Sequence, residues 1–258
     1  MSGTPSIWRA KTPLNTNTIG LQAEPRVIQM GDGNIVTAWV SDSTSRGLNW
    51  VGVIRDPLGD VDPDIATPVN GELILSATSV TEEFAGDIAP LVTGGFTSAY
   101  AALSIPGGGY SLSITDVTAG GNTGLGTGLA STSVPGNILD YPTVSVSSAN
   151  AALVAWLKDA AGASGAAGDV VRFAIYDPVA NTLAVPAADL FSHGGSTGGD
   201  IEHVTSTVLA NGNFVVAAEV TAGAWGEIWY EIVSPAGVQT VRRIIDATDN
   251  VIELERAT

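Results

Sequence analysis

The chain has 258 residues, of which 45% are hydrophobic and 14% charged, and its formal net charge is −16 at pH 7. This acidity argues against nucleic acid as a partner, because phosphate groups are bound by basic surfaces. The chain has no cysteine, which excludes a disulfide framework and thiolate chemistry. No apolar run approaches the ~18 residues of a membrane span, so membrane insertion is not expected.

One stretch of sequence recurs four times along the chain. Its first landmark has the form Gly-Asn-apolar-x-x-Ala-aromatic and begins at residues 33, 94, 150 and 212, with spacings of 61, 56 and 62 residues. A second apolar run, followed by a turn, begins at residues 54, 114, 175 and 232 and keeps nearly the same period. Two landmarks with one period predict a repeat architecture, in which each unit buries its apolar face on a neighbour.

Short alternating segments rich in Val, Ile and aromatic residues predict four strands in each unit. In unit one the strands are expected at about 26–30, 34–40, 49–55 and 72–77, and unit two is similar, with a glycine-rich stretch at 120–128 before a weak last strand. In unit three they are expected at about 143–147, 152–157, 170–176 and 189–192. In unit four they are expected at about 204–209, 214–220, 227–233 and 241–247. Four evenly spaced strands per unit are typical of a β-propeller blade.

We therefore predict an all-β repeat protein, a small β-propeller of four to five four-stranded blades, in a single domain over residues 1–258. The units are expected at about 23–86, 87–138, 139–199 and 200–250. Residues 1–22 and 251–258 are expected to be closing strands, so that the N- and C-termini complete one sheet and remove exposed edges. An open β array and a pair of sandwiches are the alternatives.

The alignment of the repeats assigns structural roles to several aromatic residues. Unit four has Ala218 at a position that is aromatic in the other units, so Trp225 or Trp229 is expected to fill the space there. The three aromatic residues at this position, expected to pack between blades, are Trp39, Tyr100 and Trp156.

The two histidines, His193 and His203, offer little support for catalysis. His203 aligns with Pro25, Pro90 and Pro142, which favours a structural role at the entry of a strand. His193 lies in a glycine-rich turn, which does not supply the fixed geometry of a catalytic triad.

The candidate metal site is an acidic turn with a carboxylate at every second position, Asp60, Asp62 and Asp64. This spacing can direct oxygen atoms at one hard cation, so calcium is the possible cofactor. Ile65 and Gly71 stand where an EF-hand loop needs Gly and Glu, which favours a solvated acidic turn instead.

A longer motif in the first unit spans Leu14–Val27, with the sequence LNTNTIGLQAEPRV, and continues as GNIVTAW at Gly33–Trp39. It resembles a repeat of large acidic bacterial proteins of the repeats-in-toxin type, which reads roughly as Val-Asn-Thr, Gly-x-Gln, Pro and Gly-Gly-Phe-Val-Val-x-Trp. The resemblance implies a non-catalytic surface or adhesion module. The chain lacks the glycine-rich calcium nonapeptides that accompany such repeats, so the resemblance does not extend to their calcium dependence.

Aromatic side chains on loops bind sugars and protein partners. The candidate ligand-binding residues are Trp225, Trp229, Tyr230 and Tyr110. For part of this set, Trp229 included, the alternative is a place in the core.

The composition and the missing signal-peptide pattern favour a non-enzymatic structural or binding protein, displayed on a virion-like particle or a cell surface as a spike, fibre, decoration or adhesin component. Its expected partners are other protein chains of an assembly or surface glycans, and its expected localisation is extracellular or on a virion surface. One alternative is a secreted calcium- or glycan-binding repeat module. The other is a glycosidase-type propeller, which would carry paired carboxylates in one cleft.

Overall fold

A computed structural model describes residues 13–15, 20–44, 47–58, 60, 72–76, 81–104, 109–121, 123, 127–132, 138–159, 168–193, 200–222, 225–240, 243–246 and 253–256. Within these ranges the chain forms seventeen β-strands, and the described residues include no helix that could cross a membrane. The predicted all-β class is confirmed.

The strands form four antiparallel sheets, in each of which the strands follow one another in sequence order. Sheet one contains β1 (Gln22–Gln29), β2 (Ile35–Thr44), β3 (Gly47–Arg55) and β4 (Leu73–Ile74). Sheet two contains β5 (Thr81–Pro90), β6 (Phe96–Ser104), β7 (Gly109–Val117) and β8 (Thr127–Thr132). Sheet three contains β9 (Ile138–Val146), β10 (Ala152–Asp159), β11 (Asp169–Asp177) and β12 (Thr182–His193). Sheet four contains β13 (Asp200–Val208), β14 (Phe214–Ala222), β15 (Trp225–Val233), β16 (Arg243–Asp246) and β17 (Glu253–Arg256).

The first repeated landmark is the turn that joins the first two strands of each sheet. Its opening residue has a positive φ in all four copies: 92° at Gly33, 94° at Gly94, 63° at Asn150 and 83° at Gly212. In each copy the backbone N–H of this residue donates to the carbonyl three residues earlier. Gly and Asn are the residues that adopt this conformation at least cost, which is why the turn is so visible in the sequence.

Successive sheets pack face to face, with one hydrophobic cluster between each pair. Trp50 and Phe96 lie between sheets one and two, Leu112 lies between sheets two and three, and Phe173 lies between sheets three and four. The first strands of neighbouring sheets, β1, β5, β9 and β13, contact one another in series. This arrangement places the first strands on the inside of a radial array of sheets.

The aromatic position shared by the repeats faces the preceding sheet. Tyr100 packs in the cluster with sheet one, and Trp156 packs in the cluster with sheet two. In sheet four the equivalent Ala218 packs toward sheet three, and Trp229, directly opposite on β15, lies in the same cluster. The predicted packing between sheets is confirmed for Tyr100 and Trp156, and Trp229 takes that place in unit four. Trp39 is also buried, but in a cluster formed by sheet one alone.

Sheet four differs from the prediction at its outer edge. β17 pairs antiparallel with β16, so Glu253–Arg256 forms a fifth, outermost strand of this sheet and does not open another one. The strand pairs there because β16 offers an open edge of backbone donors and acceptors. The predicted closing strand at 1–22 falls mostly outside the described residues, and β5 crosses the expected unit boundary at residue 87.

Candidate functional site

All four inner strands carry a β-bulge near their first residues, and that of β5 lies between Glu83 and Ala85. In β1, β9 and β13 the register with the next strand shifts by one residue, between Ala23 and Arg26 in β1. At the bulges of β1, β9 and β13 a residue other than glycine adopts a left-handed backbone: Glu24 (φ 54°), Tyr141 (φ 47°) and His203 (φ 44°). Such conformations are uncommon away from glycine, and bulges next to a binding site serve to redirect side chains.

The bulges correct the alignment of His203 with prolines. Pro has φ fixed near −65°, so no proline can occupy the conformation of His203. The structure aligns His203 with Glu24 and Tyr141, the residues before Pro25 and Pro142. The predicted place of His203 near the entry of a strand agrees with the structure, since it is the fourth residue of β13, whereas its alignment with Pro90 is wrong because Pro90 is the last residue of β5.

The bulged ends of the inner strands surround a cleft of about 170 Å³. Residues from three sheets line the cleft. Two of them are carboxylic acids, Glu24 from sheet one and Asp140 from sheet three. The lining residues are Glu24, Arg26, Ala85, Gly86, Asp140, Tyr141 and Pro142.

Asp140 is the more buried of the two acids in the cleft. Burial raises the pKa of its carboxyl group above the ordinary value, and the negative charges of Glu24 and Asp159 raise it further. Two neighbours lower the pKa of Asp140. The backbone N–H of Tyr141 donates a 2.7 Å hydrogen bond to its Oδ1, and His203 lies nearby. Asp140 therefore retains its proton to higher pH than an exposed aspartate.

Glu24 lies in a more open environment across the cleft. Its side chain is 52% exposed, and its Oε2 lies 3.5 Å from a terminal nitrogen of Arg26. The cleft thus combines a buried acid with a raised pKa and an exposed carboxylate beside a guanidinium group. Paired carboxyl groups in different environments can divide the roles of proton donor and base or nucleophile.

Asp87 connects the sheets behind the cleft. Its Oδ1 lies 3.6 Å from Nε of Arg26 in sheet one, and its Oδ2 accepts a 2.9 Å hydrogen bond from the backbone N–H of Val144 in sheet three. Thr143 donates to the same Oδ2 at 3.3 Å, and its Oγ1 lies 3.1 Å from Oγ of Ser206 in sheet four. Burial raises the pKa of Asp87, although these donors and Arg26 lower it. The network fixes the relative positions of the inner strands.

The aromatic residues predicted to bind ligands do not converge on the cleft. Trp229 is only 7% exposed, meets Phe191 edge-on with ring centroids 6.1 Å apart, and donates from Nε1 to Glu227 at 2.6 Å. Tyr230 is half-buried on β15, and Tyr110 packs against the cluster between sheets two and three. Trp225 begins β15, and its side chain lies outside the described residues.

Asp60, the described residue of the acidic turn proposed for calcium, lies at the opposite end of sheet one from the bulge of β1, since it comes shortly after the last residue of β3. The backbone N–H of Asp60 donates to Oδ1 of Asp56 at 2.8 Å, and the Asp56 N–H donates to the Asp60 carbonyl at 2.9 Å. Asp62 and Asp64 lie outside the described residues, so calcium binding there stays a prediction.

Sequence reasoning did not single out the residues of the cleft as functional. Glu24-Pro25 and Tyr141-Pro142 were visible as similar dipeptides. Asp140 aligns with Glu202 of unit four, since each directly precedes the bulge residue of its strand, Tyr141 or His203. The sequence did contain a hint of the bulges. In units one and three a residue other than glycine precedes a proline at the position of the bulge. The sequence could not show that the acids of two units face each other.

Three solved structures share the arrangement of sheets. An alpha-L-arabinanase from Penicillium chrysogenum, complexed with arabinobiose, has a TM-score of 0.60 at 10% identity, over 92% of this chain and 78% of the other. An alpha-L-arabinofuranosidase from Fusarium graminearum, in complex with an iminosugar inhibitor, has a TM-score of 0.57 at 10% identity, over 92% and 69%. An endo-arabinase from Bacteroides thetaiotaomicron has a TM-score of 0.51 at 13% identity, over 77% and 73%.

The fold is shared with these enzymes. The likeness supports the predicted β-propeller architecture, whereas no protein-family model and no curated protein sequence matches the chain. It also corrects the main functional expectation. The expected non-enzymatic spike, fibre, decoration or adhesin component is overturned, because the similar structures are glycoside-cleaving enzymes, and the glycosidase alternative is favoured in its place.

Proposed function

We propose that this protein is a glycoside hydrolase whose catalytic cleft lies at the bulged ends of the inner strands. The observation that carries the proposal is the meeting of Asp140 and Glu24, from different sheets, in one cleft with different environments. The net charge of −16 disfavours anionic sugars, so a neutral glycan is the expected substrate class. An arabinose-containing oligosaccharide is the first candidate, because a structure of similar fold is complexed with arabinobiose.

The two carboxyl groups take complementary roles in this reaction. Asp140, whose pKa is raised by burial, donates its proton to the glycosidic oxygen as the bond to the anomeric carbon breaks. Glu24, which lies beside Arg26, either attacks the anomeric carbon or removes a proton from the attacking water. If Glu24 attacks the anomeric carbon, a water molecule then hydrolyses the bond between the sugar and Glu24. Asp140 takes a proton from this water and so returns to its starting state. Tyr141 offers an aromatic ring to one side of the sugar.

Activity should be measured on 4-nitrophenyl glycosides of neutral sugars, starting with the α-L-arabinofuranoside, and on linear arabinan. We expect hydrolysis by the wild-type chain and a loss of about 10²–10⁴-fold in kcat/KM for both D140N and E24Q. The control is D189N, which removes an exposed carboxylate of β12 that pairs with Arg172 far from the cleft. Circular dichroism would verify that each variant is folded.

Two results would contradict the assignment. Inactivity of the wild-type protein on the whole panel of neutral glycosides would remove the proposed function. Retained activity in both D140N and E24Q would remove the cleft as its site. The stereochemistry of the product, followed by NMR, distinguishes direct attack by Glu24, with retention, from activation of water, with inversion.

The propeller is proposed to close into a ring at the face of sheet one that points away from sheet two. Trp39, Val51 and Val53 form a small buried cluster on the face of sheet one that points away from sheet two. A cavity of about 200 Å³ adjoins Trp39 on this face and is bounded by Leu14 from the N-terminal segment. Trp39 occupies the position from which Tyr100 and Trp156 contact the preceding sheet. Closure would bring sheet four, or a further sheet next to it, against Trp39.

A further inference from the structure

The bulge of β13 gathers three potential metal ligands at one point. Glu202 lies directly opposite Glu219 across the β13–β14 pair, and the register shifts immediately after it, at His203. Neighbouring side chains of a regular strand point to opposite faces. The left-handed backbone of His203 (φ 44°) breaks this alternation and turns the imidazole toward the two glutamates. One ligand atom from each residue lies within 4.8 Å of the other two.

The electrostatics of this cluster favour a cation. Two carboxylates directly opposite each other on adjacent strands repel one another. Nδ1 of His203 lies 3.7 Å from Oε2 of Glu219, and the surrounding protein is strongly acidic. A divalent cation between the three side chains would replace this repulsion with attraction.

The ligand set points to a zinc-class ion. One imidazole and two carboxylates, with a water molecule in the fourth position, form a tetrahedral site of the kind that Zn²⁺ adopts. Calcium prefers six to eight oxygen ligands and magnesium retains several waters, so neither matches a site with nitrogen and two oxygens. We propose that Glu202, His203 and Glu219 bind one Zn²⁺ or a similar transition-metal ion at the cleft end of sheet four.

The side chains are able to close on such an ion. Metal–ligand bonds of ~2.0–2.2 Å place tetrahedral ligands about 3.2–3.6 Å apart, somewhat closer than the three groups lie without metal. The side chains of His203 and Glu219 are 67% and 46% exposed, so they can rotate over this short distance without disturbing the core. The ring of Tyr141, with its centroid 5.0 Å from that of His203 and a tilt of 46°, supports the imidazole from one side. Because Tyr141 also lines the cleft, the bound ion would hold sheet four next to the catalytic groups.

The test uses the metal alone, without any substrate. Chelator-treated protein is titrated with Zn²⁺ by isothermal calorimetry and with Co²⁺ as a spectroscopic probe of tetrahedral coordination. We expect one site per chain, visible-range absorption on Co²⁺ binding, and affinity at least tenfold lower in both H203A and E219Q. D189N should bind as the wild type does, and a tenfold excess of Ca²⁺ should not displace the bound Co²⁺.

Unchanged affinity in H203A would overturn the proposal, as would displacement by Ca²⁺, because both indicate attraction to the acidic surface in general. The absence of any stoichiometric binding would also overturn it. The altered side chains are exposed, so folding of the variants is expected and is verified by circular dichroism. Since metal binding is measured without glycoside, this result is independent of whether the chain hydrolyses glycans.

Discussion

Asp169, the first residue of β11, joins sheets three and four through a buried pair of carboxyl groups. Its side chain is 3% exposed, and its Oδ2 accepts a hydrogen bond from the backbone N–H of Ile201 at 3.2 Å. Burial, followed by a hydrogen bond with the carboxyl group of Asp200, raises the pKa of Asp169 to about 7. Asp169 therefore keeps its proton to higher pH in the folded state than in an unfolded chain.

This proton predicts how stability depends on pH. The folded-state pKa of Asp169 lies above its unfolded value, so the folded state binds more protons than the unfolded state between about pH 4 and pH 7. The contribution of this group to stability is therefore full below about pH 4, declines as pH rises from about 4 to about 7, and is lost above the folded-state pKa. We expect the free energy of unfolding to fall between pH 5 and pH 8, and D169N to show a clearly shallower fall.

Urea unfolding at pH 5, 6, 7 and 8 would measure this dependence. D189N is the control, because it removes an exposed carboxyl group and should retain the wild-type slope. Asp87 and Asp140, whose pKa values are also raised by burial, should leave a residual slope of the same sign in D169N. Equal slopes in wild type and D169N would show that the buried pair does not hold the proton.

At the scale of the strand, packing depends on how residues are matched across neighbouring strands. Sheets one to three use a large aromatic residue on the second strand, whereas sheet four has Ala218 there and Trp229 opposite it on β15. Between sheets one and two, Trp50 lies against Gly86, where an added Cβ would come within 2.5 Å of the indole ring. The strand that supplies the large aromatic residue thus differs between junctions: β6 and β3 both contribute between sheets one and two, and β15 contributes between sheets three and four.

Truncation of Trp229 should therefore weaken the junction of sheets three and four. We expect W229A to lower the free energy of unfolding by about 3–5 kcal/mol, as for other buried aromatic residues. The neighbouring Y230A removes a half-buried ring from the other face of β15 and should cost clearly less. Denaturant unfolding of the two variants measures the difference. Equal losses would mean that Trp229 does not fill this junction.

At the scale of the whole molecule, the open question in the fold is how the first and last sheets meet. The chain forms four sheets in series, and a buried cluster around Trp39 lies on the outward face of the first. The members of this cluster are only 2–6% exposed, which favours a closed ring with the inner strands around one central cleft. An open array would expose one face of sheet one and one face of sheet four to solvent.

Small-angle X-ray scattering separates the two arrangements. A closed, compact domain of this length should have a radius of gyration of about 18 Å. An extended arc of four sheets would give a clearly larger radius and a longer maximum dimension. The measurement requires a monodisperse monomer, which light scattering on the same sample would verify. A radius well above the compact value would contradict closure.

The sequence by itself determined the all-β class, the four repeats and their turns, because these depend on local chemistry. Positive φ at Gly33, Gly94, Asn150 and Gly212 selects Gly or Asn, and alternating apolar residues select half-buried strands, so both leave a periodic trace in the sequence. The core role of Trp156 followed from the same alignment, since equivalent positions of a repeat face equivalent neighbours.

Only the tertiary structure decided the bulges, the cleft and the proton-holding acids. The bulge conformation of His203 depends on the pairing of β13 with β14, and the alignment with prolines missed it by one residue. Glu24 and Asp140 meet only because sheets from different parts of the chain pack around the inner strands. The raised pKa values of Asp140 and Asp169 result from burial and neighbouring charge, which are properties of the packed molecule and leave no mark on the order of residues.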